Sequence, residues 1–159
     1  MSMSSSVERV RQALVAHGLH VEITEFSQST ATSQQAADAL GVPVATIVKS
    51  LVFLAGEEPI LVLASGANQV DTEKLARAAG AKVRRPDADR VKEATGFVIG
   101  GVAPVGHAHP LPTYIDADLL RYDRLWAAAG SPYAVFPITP QELVRITRGR
   151  VVDLKREAR

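Results

Sequence analysis

The sequence predicts an α+β domain built on a mixed β-sheet, and three observations point to it. Strand-like runs stand side by side as hairpins, at 47–64 and again at 125–138. Other short strand-like runs alternate with helical stretches, and most helical stretches open on a capping residue. At 159 residues and 47% hydrophobic, the chain fits one domain with a real core. That domain is expected over 7–159, after a serine-rich leader at 1–6 expected to be disordered.

Taken in order, a helix is predicted from about Val7 to His17, with Val7, Val10, Leu14 and Val15 near one face and Ser5 with Glu8 as a capping box. Val21 to Phe26 alternates apolar and polar residues as a half-buried strand does. Thr32 caps a second helix, with Gln35 reaching back, and Gly41 closes it. Ile47 to Ala55 and Pro59 to Ala64 read as a hairpin across Gly56-Glu57-Glu58; their nearly unbroken apolar character places them centrally. Asp71 caps a helix over Thr72 to Ala79, followed by a short strand at Lys82–Arg84 and a helix from about Asp87 to Thr95. Phe97-Val98-Ile99 reads as a strand that leads into a glycine- and proline-rich loop at 100–112. Thr113 to Asp116 is a strand, and Leu125 to Ala129 pairs with Tyr133 to Ile138 across Gly130-Ser131-Pro132. Thr139, Pro140 and Glu142 sign the start of the last helix.

Composition excludes several functions. With no cysteine there is no disulfide framework, no thiolate zinc site and no cysteine nucleophile. No run approaches the roughly 20 apolar residues of a membrane span, so a soluble, cytoplasmic protein is expected. A net charge of +1 argues against binding nucleic acid, DNA included, through bulk electrostatics, and the small basic cluster Lys82, Arg84 and Arg85 reads either as a solvated face or as a contact for a few phosphates. GxSxG and HExxH are both absent, which leaves serine-hydrolase and zinc-protease readings unsupported.

Two features carry chemistry. Lys49 interrupts the apolar run 46–54, so it is either an edge lysine that blocks aggregation or an ammonium aimed into a pocket at an anion. The run Gly100-Gly101-Val102-Ala103-Pro104 is either a tight structural loop or a stretch of main chain whose N–H groups can hold an oxyanion. His107 and His109 lack a third ligand other than carboxylates such as Asp116 or Asp118, and no metal is expected. His107 reads as a loop anchor or a polar pocket group.

Together, Thr32-Ser33-Gln34-Gln35-Ala36-Ala37, Ile47-Val48-Lys49-Ser50-Leu51-Val52-Phe53, Val70-Asp71-Thr72-Glu73-Lys74-Leu75 and Gly100 to His107 resemble the YbaK/EbsC group, whose domain is also inserted in bacterial prolyl-tRNA synthetases. The resemblance covers roughly 20–155. It implies a mixed, partly barrel-like central β-sheet surrounded by helices, and hydrolysis of the ester between a small amino acid and tRNA, with no cofactor. It implies Lys49, Gly100 and Gly101 as catalytic, and Phe26, Thr32, Ser50, Pro104, His107, Gly130 and Ser131 around the substrate. The partners implied are the aminoacyl-tRNA acceptor end and a synthetase such as prolyl-tRNA synthetase. Where members acting on cysteinyl-tRNA carry tyrosine and aspartate, this sequence offers Phe26 and Ala134-Val135-Phe136, which favours alanine or serine/threonine instead. The competing readings are a non-catalytic module that binds a tRNA end or nucleotide, and a protein that docks on a synthetase.

Overall fold

Residues 5–157 are described in the computed structural model, in the order α1 (Ser5–Ala16), β1 (Thr24–Glu25), α2 (Ser33–Leu40), β2 (Ile47–Ala55), β3 (Glu58–Ser65), α3 (Thr72–Ala79), β4 (Val83–Arg84), α4 (Ala88–Thr95), β5 (Thr113–Asp116), β6 (Leu125–Ala128), β7 (Ala134–Ile138), α5 (Pro140–Thr147) and β8 (Arg150–Val152). The strands form one mixed sheet in the order β1-β7-β6-β2-β3-β5-β8, with β4 also on β2. The apolar hairpin is its centre, paired from Val48↔Ser65 to Ala55↔Glu58. β6 lies parallel to β2, β5 parallel to β3, and β8 parallel to β5. Among the described residues β1 and β8 do not pair, so the sheet is not closed.

Alternation along the central strands separates two cores. Leu61 and Leu63 of β3 meet Val7, Val10 and Leu14 of α1 and Leu143 and Ile146 of α5. Ile60 and Val62, on the other face, pack with Phe53, Leu75 of α3 and Leu154. Both layers are fully buried, so truncating Leu61 to alanine would cost about 2–5 kcal/mol.

Apart from Ser5, which lies inside α1 and does not cap it, the capping signals act as the sequence predicts. Thr32 and Thr139 each complete a capping box, with Gln35 and Glu142 respectively, and Asp71 and Asp87 accept from the first-turn amides of α3 and α4. Other expectations change. Ser5 and Ser6, expected in the leader, lie inside α1, and Val15, expected on its apolar face, is exposed; residues 1–4 lie outside the described ones. The strand expected at Val21–Phe26 shrinks to Thr24–Glu25, the two residues for which β7 offers a free edge at Ala134 and Val135. Phe97 to Ile99 is no strand. Instead, the Gly101 N–H donates to the Val98 carbonyl (2.9 Å) and Gly100 takes a φ of 86°, the third position of a type II turn.

One feature of the sheet shapes the site. Along the edge of β2 opposite β3, β6 pairs only with Ile47 and Val48, and β4 only with Leu54 and Ala55. Residues 49–53 are left without a strand beside them. β4 cannot extend into this break, because Pro86 stands opposite Val52 in its register and has no N–H to give.

Candidate active site

A cavity of about 380 Å³ occupies the break in the sheet. Its walls are β2 from Ile47 to Val52, the segment Thr30 to Ser33 that leads into α2, the turn residues Ile99 and Gly100, and Trp126 to Ala128 of β6. Because the edge of β2 faces the cavity, residues from both faces of the strand line it, which a continuous sheet would forbid.

Lys49 is one of these lining residues. Its Nζ donates to the Asn68 carbonyl at 2.6 Å. Asn68 is itself fixed, its Nδ2 donating to Asp116 Oδ2 and to Asp118 Oδ2, both at 2.9 Å. Asp116, 2% exposed, also accepts from the Ser65 N–H at 3.1 Å. One of the three ammonium donors is thus used on a carbonyl, and no carboxylate lies in ion-pair contact with Lys49 among the described residues. Burial pushes the Lys49 ammonium below its usual pKa; the Asp116 charge opposes that shift and the Arg85 charge adds to it. Arg85 lines the same cavity, over the Phe53 ring at 5.0 Å, and also forms no ion pair among the described residues. Burial lowers its pKa as well. Two partly desolvated cations, neither in an ion pair among the described residues, can attract an anion.

Gly100 lines the cavity, and Gly101 is not among its lining residues. A Cβ on Gly100 would stand 2.8 Å from Ala31 Cβ, and one on Gly101 would stand 2.9 Å from the Ser131 backbone. The loop is therefore wedged between the segment before α2 and the β6–β7 turn. The expectation that both amides are available needs correcting: the Gly101 N–H is spent on the Val98 carbonyl, and of the two the Gly100 N–H alone has no partner among the described residues.

Of the other expected site residues, Thr32 and Ser50 line the cavity. Thr32 spends its hydroxyl capping α2, and Ser50 Oγ is buried with no hydrogen-bond partner. Phe26, Pro104, His107, Gly130 and Ser131 do not line it. The Phe26 N–H donates to the Tyr133 carbonyl at 2.8 Å as an extension of the β1–β7 pairing. Pro104 is buried in the loop. Gly130 faces α1, where a Cβ would meet the Ser6 carbonyl oxygen at 2.6 Å, and Ser131 Oγ accepts from the Tyr133 N–H. His107 is the loop anchor: its Nε2 lies 2.7 Å from the Ala103 carbonyl and its ring meets Phe97 edge-on. Burial pushes its pKa down, the Ala103 contact opposes this, and the Arg9 charge adds to it. Asp116 and Asp118 serve the Asn68 network, and no group of residues suited to a metal ion is present among the described residues.

Sequence reasoning missed Asn68, Asp116 as a positioning carboxylate, and Trp126, and took Arg85 only as part of a basic cluster with Lys82 and Arg84. A Ser65-Gly66-Ala67-Asn68 turn directly after a strand was the available signal for Asn68.

Fold and site together define a domain whose mixed sheet is broken beside β2 by a cavity lined by two cations, Lys49 and Arg85. Residues 27–146 match the family described as the aminoacyl-tRNA editing domain, and the chain belongs to that family. It is 36% identical over 147 residues to the uncharacterized protein YwhH of Bacillus subtilis, covering 92% of this chain and 94% of that one. It is 25% identical over 131 residues to EbsC of Enterococcus faecalis, a candidate Cys-tRNA(Pro)/Cys-tRNA(Cys) deacylase, covering 81% and 80% respectively. The crystal structure of a candidate trans-editing enzyme for prolyl tRNA synthetase superposes with a TM-score of 0.93 at 46% identity, covering 98% of this chain and all of that one. A segment of proline–tRNA ligase from Lactobacillus gasseri is 38% identical over 76 residues, 14% of that enzyme. No helix among the described residues is long and apolar enough to cross a membrane.

Proposed function

We propose that this protein is a trans-editing hydrolase that cleaves the ester of mischarged aminoacyl-tRNA and releases a small amino acid. The observation that carries the reading is that Lys49, Arg85 and Gly100 line one cavity of about 380 Å³. Lys49 and Arg85 hold the phosphate of the terminal nucleotide, and the spare ammonium donors also face negative charge developing on the acyl oxygen. The Gly100 N–H donates to that oxygen.

An ester needs positioning more than a strong nucleophile. The water oxygen bonds to the acyl carbon, and the carbon–oxygen bond to the ribose breaks with its electron pair on the ribose oxygen. That oxygen takes one proton of the water, and the other passes to solvent when the carboxyl group of the released amino acid ionises. The substrate's own neighbouring ribose hydroxyl and main-chain carbonyls orient the water. The walls contributed by Val48, Val52, Val102 and Ala127 suit alanine, with serine or threonine as the other candidates. The protein acts in the cytoplasm on the acceptor end of tRNA, in partnership with a synthetase such as prolyl-tRNA synthetase, a reading supported by the similar segments of proline–tRNA ligases.

The test is Lys49→Ala against a panel of aminoacyl-tRNAs. Loss of a charged donor at the reacting centre should slow deacylation by about 10²–10³-fold. A near-parental rate on any ester that the parent cleaves would remove Lys49 from the reaction.

A further inference from the structure

The cavity also exposes main-chain groups that nothing in the fold explains. The Ile47 carbonyl accepts from the Gly66 N–H on the β3 side of β2, and the Gly56 N–H donates to the Lys82 carbonyl on the β4 side. Backbone polar groups alternate along a strand, so the odd residues of β2 address β3 and the even ones address the opposite edge. There Val48 is paired by β6 and Leu54 by β4. Ser50 and Val52 fall in the break, and both line the cavity. Their N–H and C=O groups have no backbone partner among the described residues, although Val52 is only 2% exposed. Main chain so buried is ordinarily paired. Beside it lies Ser50 Oγ, buried and equally without a partner.

We propose that this edge receives the aminoacyl group itself, as a strand one residue long. In a hydrogen-bonded antiparallel pair, two residues exchange both of their N–H···O=C bonds. An α-amino acid ester carries the same two groups on one residue, an ammonium that donates and an ester carbonyl that accepts. Set opposite Ser50, the ammonium donates to the Ser50 carbonyl while the ester carbonyl accepts from the Ser50 N–H. The ligand thereby fills the break between β6 and β4. The ammonium has little choice of partner, since no carboxylate lines the cavity. Main-chain carbonyls and hydroxyls are the acceptors on offer. The Ser50 N–H then joins the Gly100 N–H at the oxygen that becomes negative, making Ser50 a catalytic residue through its backbone.

This inference rests on the deacylase reading and adds that the free α-amino group is what the site recognises, whichever small side chain is attached. The test compares three esters on one tRNA: the amino acid the parent enzyme cleaves, its N-acetyl derivative, and the 2-hydroxy acid of the same side chain. Losing a charge-assisted hydrogen bond should slow the hydroxy ester by about 10- to 100-fold, and the acetylated ester at least as much. Amide exchange, read by NMR with the unhydrolysable 3′-(L-alanylamino)-3′-deoxyadenosine, should slow by about tenfold or more at Ser50 when the analogue saturates the cavity. Cleavage of the acetylated ester within about threefold of the free one, or unchanged Ser50 exchange at saturation, overturns the strand-like pose and leaves deacylation standing. If the parent protein cleaves no aminoacyl ester, the deacylase reading falls, and this inference with it.

Discussion

Substituting Gly100 by alanine separates a main chain that a ligand must approach from one that is only tightly packed. Gly100 holds a φ of 86°, a left-handed conformation that costs an L-residue about 1–2 kcal/mol. The new Cβ would also lie 2.8 Å from Ala31 Cβ, so one of the two segments must give, and overpacking of this kind costs about 1–3 kcal/mol. The expected loss is therefore about 2–5 kcal/mol, a large share of the roughly 5–15 kcal/mol that holds a domain folded. Ala31→Gly removes the opposing methyl group. In the double variant the packing part should return and the backbone part should stay, which gives a coupling of about 1–3 kcal/mol across the cycle. The assay is the urea midpoint of all four proteins, together with the deacylation rate per folded molecule. The rate should stay low in the double variant, because the methyl on residue 100 still crowds its own N–H. A coupling near zero would refute the packing argument. Recovered stability with full activity would show that Gly100 is structural and holds no acyl oxygen.

Three further outcomes are expected. Gly130→Ala meets the Ser6 carbonyl oxygen at 2.6 Å from a φ of 91°, so its Tm should fall by about 5–15 °C while activity per folded molecule is kept; the reverse pattern would return Gly130 to the substrate wall. His107 has a folded pKa pushed below its usual value, so the unfolded chain binds the proton first as pH falls, and stability is lost on going down through the ordinary histidine range near ~6.5. Urea midpoints at pH 7.5 and pH 5 should differ less in His107→Gln than in the parent, and an equal difference would remove His107 from the acid sensitivity. In a ¹³Cε titration Lys49 should deprotonate below the ordinary lysine value, lower still in Asp116→Asn and higher in Arg85→Gln; the opposite order would contradict the assigned charges.

What could be read from the sequence was local. Thr32 with Gln35 and Thr139 with Glu142 mark helix starts because donor and acceptor lie three residues apart, and the hairpin shows because its two apolar runs are separated by a turn. Lys49 and Gly100 were visible for a related reason, each being anomalous among its immediate neighbours. What stayed hidden depends on pairing at a distance. Arg85 reaches the cavity only because β4 lies on the end of β2, and Trp126 only because β6 runs parallel to its start. The three residues of β8 are too few to show a period, and β8 forms because β5 leaves an edge open at Tyr114 to Asp116. Gly101 looked equivalent to Gly100 in the sequence. The turn that spends its N–H and leaves its neighbour's unpaired is a matter of geometry alone.

The lysine, the break and the proline are best understood as one device. A lysine at the centre of a fully paired strand, covered on both faces, would have its head desolvated on every side, and the charge would be costly without a partner. Interrupting the sheet beside it gives the ammonium room and a carbonyl at Asn68, and Pro86 keeps β4 from healing the interruption. The same gap leaves Ser50 and Val52 unpaired. The cation that attracts a phosphate and the main chain that can pair with an amino acid therefore arise from a single departure from regular β-structure. An apolar residue at 49 would relieve the strain on the lysine and leave the gap open, so activity lost in such a variant would report on the charge alone and not on the shape of the site.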